Sequence, residues 1–133
     1  MEFRERQAIY MQIADYFSSH ILQQKWLPDE KVPSIRQLAI KLEVNPNTVS
    51  RSYTYLQESG IIYNKRGIGY FVSTSAKQIL LDTKRRRFVE KELPELFKNM
   101  ILLEFNTEEI EKLFVEWKEK MSNFKNINNE KNK

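Results

Sequence analysis

The stretch 44-VNPNTVSRSYTYLQ-57 decides the fold, because it has the pattern of a helix and yet carries a proline near its start. Val49, Tyr53 and Leu56 recur at spacings of four and three residues, which gives a helix one apolar face. A proline in the interior of that helix would break it. Pro46 must therefore either lie outside the helix or begin it.

Asn45 resolves the question, because it precedes the proline and is a good N-cap residue. Proline suits the first turn of a helix, where its missing N–H has no intrahelical partner. The stretch therefore predicts a helix from Pro46 to about Glu58. Gly60 is a plausible C-terminal stop.

Two amphipathic helices are predicted before this one. The first covers roughly residues 7–24, with its apolar stripe at Ile9, Ile13, Phe17 and Ile21. The second is short and follows Pro33, with Ser34 as its N-cap. Its apolar face comprises Ile35, Leu38, Ala39 and Leu42. Only Glu43, Val44 and Asn45 separate the second helix from the third, so the connection is a tight turn.

A β-hairpin with a basic tip is predicted after the third helix. The β-favouring runs 61–63 and 70–72 flank the sequence Asn-Lys-Arg-Gly-Ile-Gly. Three helices followed by such a hairpin describe a winged helix-turn-helix, and the hairpin is called the wing below. In this fold the third helix can enter the major groove of DNA, which admits one α-helix.

More helices are predicted beyond a small-residue joint at 73–76. A basic run occupies 84–87, and Pro94 is expected to end or kink a helix. Asn106 and Glu109 form a capping-box pattern before another amphipathic helix. The predicted organisation is a winged helix-turn-helix domain at 1–74, a helical dimerisation segment at 75–124 and a disordered tail at 125–133. The fold class is mainly α with a small β-hairpin.

Composition excludes several classes of function. The chain of 133 residues has no cysteine and one histidine, and its net charge is only +4. His20 has no evident metal-binding or acid–base partner, and no phosphate loop or nucleophile with a base is visible. We therefore expect no enzyme activity, no cofactor and no metal. No run has the ~20 apolar residues that a membrane span needs, and the charged N-terminus is unlike a signal peptide, so we expect a cytoplasmic protein without membrane association.

Residues 33-PSIRQLAIKLEVNPNTVSRSYTYLQESGIIYNKRGIGYFV-72 resemble the DNA-binding domain of the GntR family of bacterial transcription regulators. The shared pattern comprises Pro33-Ser34, Arg36, Leu38-Ala39, Thr48-Val49, Leu56 with Gly60, and Gly67-Ile68-Gly69. The Asn-Pro-Asn-Thr-Val form and the Glu-Leu-Pro-Glu of the helical tail are similar to the YtrA-like subfamily. The resemblance covers roughly residues 6–122.

The resemblance implies a sequence-specific regulator of transcription that binds double-stranded DNA. It places Arg36 near the DNA backbone or a base, the first turns of the third helix at the major groove, and the wing at the minor groove or its phosphates. The residues expected to contact DNA are Ser34, Arg36, Asn45, Pro46, Asn47, Thr48, Ser50, Arg51, Lys65, Arg66, Gly67 and Gly69.

Three positions depart from the family pattern. Many members have arginine where this chain has Pro46 and Ser50, so base reading by those arginines cannot occur here. Glu43 stands at a turn position often held by glycine. If that position needs a positive φ, a residue with a Cβ costs on the order of 1 kcal/mol.

The C-terminal helices are expected to form a homodimer, because their apolar stripes cannot all be buried in so small a segment. The residues expected in the dimer interface are Leu96, Met100, Ile110, Leu113, Phe114, Trp117 and Met121. A two-fold dimer implies a palindromic operator.

The resemblance implies a repressor of a neighbouring transporter operon; the operator sequence and a small-molecule effector stay open. The alternatives are a winged-helix module that binds protein and has only weak nucleic-acid affinity and, less favoured, an enzyme with a site in the tail.

Overall fold

The computed structural model describes the backbone of residues 7–131 and the side chains of residues 7–126. The elements in this range are α1 (Ile9–Leu22), α2 (Ile35–Leu42), α3 (Pro46–Glu58), β1 (Ile62–Lys65), β2 (Gly69–Val72), α4 (Ala76–Arg87), a π-helical segment (Phe88–Glu92), α5 (Leu93–Leu102) and α6 (Thr107–Lys131). The predicted fold class, mainly α with one β-hairpin, is confirmed. No helix in the described range is long and apolar enough to cross a membrane.

Two compact units make up the chain, and they divide between Arg86 and Arg87. The sequence placed a domain boundary after residue 74, which differs from this division. Ala76 and Leu80 of α4 account for the difference, because both are buried in the core of the first unit. The sequence shows that Ala76 and Leu80 are apolar and four residues apart, but it does not show which of the two units buries them.

In the first unit, α3 contacts α1, α2 and β1. Its apolar face comprises Val49, Tyr53 and Leu56, which are fully buried, as the sequence predicted. Tyr53 is the largest of these side chains. Its ring meets Phe17 of α1 and Tyr70 of β2 edge-on, with centroids 5.1 and 4.8 Å apart. Its hydroxyl donates a hydrogen bond to the carbonyl of Pro33. Tyr53 therefore joins three segments to α3.

The helix starts follow the sequence signals. The Ser34 hydroxyl accepts a hydrogen bond from the backbone N–H of Gln37, and the Gln37 side chain accepts one from the N–H of Ser34, which completes a capping box on α2. The Asn45 side chain accepts from the N–H of Asn47, 2.8 Å away, and Pro46 lies in the first turn of α3. The proline thus begins the helix.

The turn between α2 and α3 requires the left-handed conformation at Glu43, whose φ is 55° and ψ is 46°. This conformation lets the N–H of Val44 bond the carbonyl of Ala39 at 3.1 Å and close the end of α2. Position 43 therefore has the positive φ on which the expected strain depended. Glu43 carries a Cβ in a region that favours glycine, so strain on the order of 1 kcal/mol applies.

The wing pairs β1 and β2 in antiparallel register, with Ile62 opposite Val72 and Lys65 opposite Gly69. The backbone of 29–32 runs along the other edge of β2: the N–H of Val32 donates to the carbonyl of Tyr70 at 2.9 Å. The hairpin is therefore supported on both sides of β2.

In the second unit, the π-helical segment lies directly before α5, whose first turn contains Pro94. A proline has no N–H to donate, and its ring collides with the carbonyl four residues earlier in an α-helix. The segment instead ends with a bond from the N–H of Leu93 to the carbonyl of Phe88, five residues back. The predicted disturbance at Pro94 thus takes the form of a locally widened helix.

The start of α6 is capped reciprocally, as its sequence predicted. The N–H of Glu109 donates to the Asn106 side chain at 2.8 Å, and the N–H of Asn106 donates to the Glu109 carboxylate at 3.2 Å. The helix continues to Lys131, whereas the composition predicted a disordered tail over 125–133. The tail lacks glycine and proline, so helical backbone bonding can propagate through it. Residues 132–133 lie outside the described range.

Tyr53→Phe tests how far the phenol stabilises the first unit. Removing the hydroxyl leaves the Pro33 carbonyl without its donor, so we expect the free energy of unfolding to fall by about 1–2 kcal/mol. Urea denaturation followed by circular dichroism measures this change. Tyr63→Phe is the matched control, because the Tyr63 hydroxyl donates at 2.8 Å to exposed Asp29. An equal loss in both variants would contradict a special role for Tyr53.

The same variant changes the response to alkaline pH. Burial raises the pKa of the Tyr53 phenol above its ordinary value of 10.0. The folded state therefore holds this proton more tightly than the unfolded state. Its contribution to stability is complete below about pH 10 and is lost as the pH rises through the folded-state pKa. Tyr53→Phe should show a smaller alkaline loss of stability.

Glu43→Gly should stabilise the protein by about 0.5–1 kcal/mol, because glycine adopts a positive φ without strain but loses more backbone entropy on folding. Glu43→Ala separates this effect from the loss of the charged group, since alanine keeps the Cβ. Thermal unfolding compares the two variants. If Glu43→Ala gains as much as Glu43→Gly, backbone strain at this turn is not the cause.

Candidate nucleic-acid interface

The two sides of α3 have opposite character because the helix is packed on one side only. Val49, Ser52, Tyr53 and Leu56 face the core. The exposed side chains at helical spacing along the other side are Asn47, Ser50, Arg51 and Thr54. We call these four residues the polar stripe. The stripe presents amide, hydroxyl and guanidinium groups, which are the groups that hydrogen-bond to base edges and phosphates.

Several members of the predicted set stand at the start of α3. Asn45 and Pro46 are exposed and build the first turn, while Thr48 is half-buried at the edge of the stripe. The Asn45 side chain is already used by the cap, so its role in the structure is to start the helix. Asn47 keeps its own side-chain amide free of the cap, which uses its backbone N–H.

Arg51 is held against α1. Its guanidinium carbon lies 3.9 Å from the centroid of the Tyr10 ring. The neighbouring residue Ser52 is buried, and its hydroxyl donates to the carbonyl of the same Tyr10 at 2.6 Å. The start of α1 is thus fastened to α3 beside the polar stripe.

The N-terminus of α2 contributes Ser34 and Arg36. The Ser34 oxygen accepts from the backbone N–H of Gln37, so its structural task is capping. Arg36 is exposed in the first turn of α2. Within residues 7–126 neither Arg36 nor Arg66 of the wing makes an ion pair or hydrogen bond that would occupy it.

The wing tip is basic and exposed. Lys65 and Arg66 lie at the end of β1, and the Lys65 ammonium is 4.8 Å from the centroid of the Phe71 ring. Gly67 has a φ of 78°, which the turn requires. Ile68 follows and is 60% exposed, an apolar side chain between two glycines.

Gly69 is required for a different reason. Its φ is 143°, and a Cβ at this position would lie 2.8 Å from Cε of Lys31. The Lys31 side chain therefore passes over the backbone at Gly69, opposite Lys65 near the tip of the wing, because residue 69 has no side chain. Lys31, Lys65 and Arg66 together make a group of three cations on the wing.

The loop that carries Lys31 is tied to β1 by the bond between the Tyr63 hydroxyl and Asp29. This hydrogen bond, more than partial desolvation or the Asp29 charge, raises the pKa of Tyr63. The bond holds Tyr63 protonated and in place. It also keeps Asp29 turned towards β1.

Sequence reasoning missed three residues of this surface. Tyr10 and Lys31 were not among the residues expected to contact DNA, and Ile68 was only the middle of a glycine motif. The available signals were the hydroxyl of Tyr10 beside the apolar face and the β-branched residue at the tip of a hairpin. Lys31 had no signal, because its position depends on pairing between 29–32 and β2.

Metal binding and histidine chemistry have little structural support among the described residues. No group of three or more His, Cys, Asp or Glu side chains is placed to hold a metal ion there. His20 packs on Tyr16 and Trp26, with ring centroids 4.2 and 4.5 Å away, and its Nδ1 lies 2.8 Å from the carbonyl of Tyr16. His20 therefore packs against two aromatic rings of the first unit.

Comparison with known proteins also indicates similarity to bacterial regulators of transcription. Residues 9–72 match the model of the bacterial regulatory proteins, gntR family. The chain is 35% identical over 119 residues to the HTH-type transcriptional repressor YtrA of Bacillus subtilis (strain 168), across 90% of this chain and 88% of that protein.

Two solved structures extend the comparison. A GntR-family transcriptional regulator from Bacteroides thetaiotaomicron is 38% identical with a TM-score of 0.71, covering 86% of this chain and 99% of that one. The DNA-binding domain of AraR in complex with operator ORR3 is 30% identical with a TM-score of 0.50, covering 55% of this chain and 88% of that one.

Proposed function

Since this chain belongs to the GntR family of bacterial regulatory proteins, whose members are DNA-binding transcriptional regulators and not enzymes, we propose that it is a repressor that binds a palindromic operator as a homodimer. The observation that carries the DNA-binding part is the polar stripe of α3. Four exposed hydrogen-bonding side chains lie on one side of a helix whose other side is fully packed.

In the proposed complex, α3 enters the major groove with its N-terminal turns first. Asn47, Thr48, Ser50 and Arg51 meet base edges there, while Asn45 and Pro46 form the end of the helix that points into the groove. A helix that begins with proline presents a rigid first turn, so these short side chains start from a fixed backbone.

Contacts to the DNA backbone come from two other places. Arg36 and Ser34, in the first turn and cap of α2, approach a phosphate. Lys65 and Arg66 approach the minor groove or its phosphates, with Gly67 and Gly69 letting the wing backbone come close. Lys31 adds a third cation at the wing. These contacts fix the position of α3 and make the affinity depend on salt concentration.

The second unit supports dimerisation. α5 contains no buried residue, and the apolar side chains of α6 are largely exposed. Those of α6 recur at alternating spacings of four and three, the period of a two-helix seam: Ile110, Phe114, Trp117, Met121 and Phe124. Leu96, Met100 and Leu113 flank this seam in the proposed interface. Phe124 was absent from the sequence-based set, and its spacing adds it.

A second copy of the chain is the economical partner for such a surface. Exposed apolar patches of this extent are uncommon on monomers. A two-fold axis would make the same patch cover itself and would present two copies of α3 to two half-sites. This geometry is why the proposed operator is a palindrome.

Repression is proposed from the similarity to YtrA, which is named a repressor. A dimer on an operator that overlaps a promoter excludes the polymerase without further chemistry. The family resemblance extends the proposal to control of a neighbouring transporter operon.

Selection from a random duplex pool tests the function directly. We expect a palindromic sequence to be enriched and to be bound ~10³-fold or more tightly than scrambled DNA. Fluorescence anisotropy at two salt concentrations measures this ratio. Affinity for scrambled DNA alone, which vanishes as salt rises, would leave only phosphate attraction. Failure of any duplex to bind would favour a protein-binding module.

Trp117→Ala tests the dimer. The Trp117 side chain is 60% exposed, and truncating an interface tryptophan should weaken the dimer by about 2 kcal/mol, roughly 30-fold in dissociation constant. Sedimentation equilibrium measures this change. Val115→Ala is the matched control, because Val115 is 47% exposed but lies on the opposite side of α6. An unchanged mass in Trp117→Ala, or equal weakening in both variants, would contradict this interface.

A further inference from the structure

Tyr10 makes two contacts with consecutive residues of α3. Its carbonyl accepts the hydroxyl proton of Ser52, with the two oxygens 2.6 Å apart, and its ring lies under the Arg51 guanidinium at 3.9 Å. The first contact fixes the backbone of α1 relative to α3. With the backbone held there, the Tyr10 ring lies where it covers Arg51.

The stack occupies only one part of the guanidinium. The guanidinium carbon lies 3.9 Å from the Tyr10 ring centroid, and arginine stacks its planar group on aromatic faces. The N–H donors of arginine lie in the plane and point outward from its edge, so they stay free while the face is covered. Among the described residues, the Tyr10 ring is the partner that holds Arg51, and no carboxylate there competes for its edge.

We propose that Tyr10 is a positioning residue for base recognition: its ring holds the Arg51 guanidinium so that the free edge meets the O6 and N7 acceptors of a guanine. This inference rests on the proposed function of α3. Guanine follows from the geometry, because its major-groove edge offers two adjacent acceptors to the paired donors of arginine.

The physical benefit is preorganisation. An unrestrained arginine has many rotamers and loses that freedom when it binds a base. A side chain already stacked on a ring loses less, so more of the hydrogen bonding appears as affinity and as discrimination between bases. The effect matters here because Arg51 is the one arginine of α3.

A double-mutant cycle on the selected operator tests the coupling. Tyr10→Leu removes the ring and should weaken operator binding roughly 3- to 10-fold, because a freed Arg51 then loses its rotamer freedom on binding. Tyr10→Phe keeps the ring and should recover most of that loss. In an Arg51→Ala background, Tyr10→Leu should cost nothing further. Tyr55→Leu is the matched control, because Tyr55 is an exposed tyrosine of α3 outside the stripe.

The base preference gives a second measure. Tyr10→Leu and Arg51→Ala should relax the preference for guanine at the same position of each half-site. Two results would overturn the inference. If Tyr10→Leu weakens binding equally with and without Arg51, the ring does not act through Arg51. If Tyr10→Phe binds as weakly as Tyr10→Leu, the hydroxyl is the active group and Tyr10 contacts a phosphate itself.

A measurement without DNA separates this inference from the proposed function. The ¹⁵N relaxation of the Arg51 Nε should report an ordered side chain in the wild type and in Tyr10→Phe, and a mobile one in Tyr10→Leu. Unfolding curves of the same variants check that each is folded. A mobile Arg51 in the wild type would overturn the inference while specific operator binding could still stand. An ordered Arg51 in a protein that selects no DNA sequence would instead overturn the proposed function.

Discussion

The packing of Tyr53 is the constraint on which the first unit depends. Its ring lies between Phe17 of α1 and Tyr70 of β2, and its hydroxyl bonds the Pro33 carbonyl just before α2. These contacts fix the rotation of α3 about its own axis. Neighbouring helix positions are about 100° apart, so a small rotation would bury part of the polar stripe and expose core. The surface offered to DNA is therefore set from inside the protein.

Local signals made much of this fold predictable. The Asn45-Pro46 start of α3, the Ser34 cap of α2 and the Asn106–Glu109 cap of α6 are decided by neighbours within a few residues, and all three appear in the structure. The place where the first unit ends was not predictable. It depends on whether Ala76 and Leu80 meet the core, which is a tertiary contact. The tail differed from its prediction because a polar composition argues only against packing. Helical backbone bonding can continue without packing.

The candidate site likewise contains residues that the sequence predicted and residues that it did not. The polar stripe followed from residue type and helical phase, since Val49 and Tyr53 mark the buried side and Asn47 and Arg51 must face away from it. Tyr10 and Lys31 could not be found by such reasoning. Each is placed by a partner distant in sequence: the Ser52 hydroxyl donates to the carbonyl of Tyr10, and Gly69 leaves room for Lys31.

In the proposed dimer, base recognition by the first unit depends on the pairing of two copies through the second unit. Pro46 and Ser50 leave Arg51 as the one arginine in the first turns of α3, and one bidentate contact discriminates between bases by only about 1–3 kcal/mol. In the proposed complex a single protomer makes one such bidentate contact, to which the shorter side chains of Asn47, Thr48 and Ser50 add. In the proposed dimer the same contact occurs twice, and the second site is engaged at high effective concentration. In the proposed dimer, the exposed seam of α6 thus serves specificity as much as assembly. A chain with sparse base-reading chemistry has the greater need of a symmetric partner.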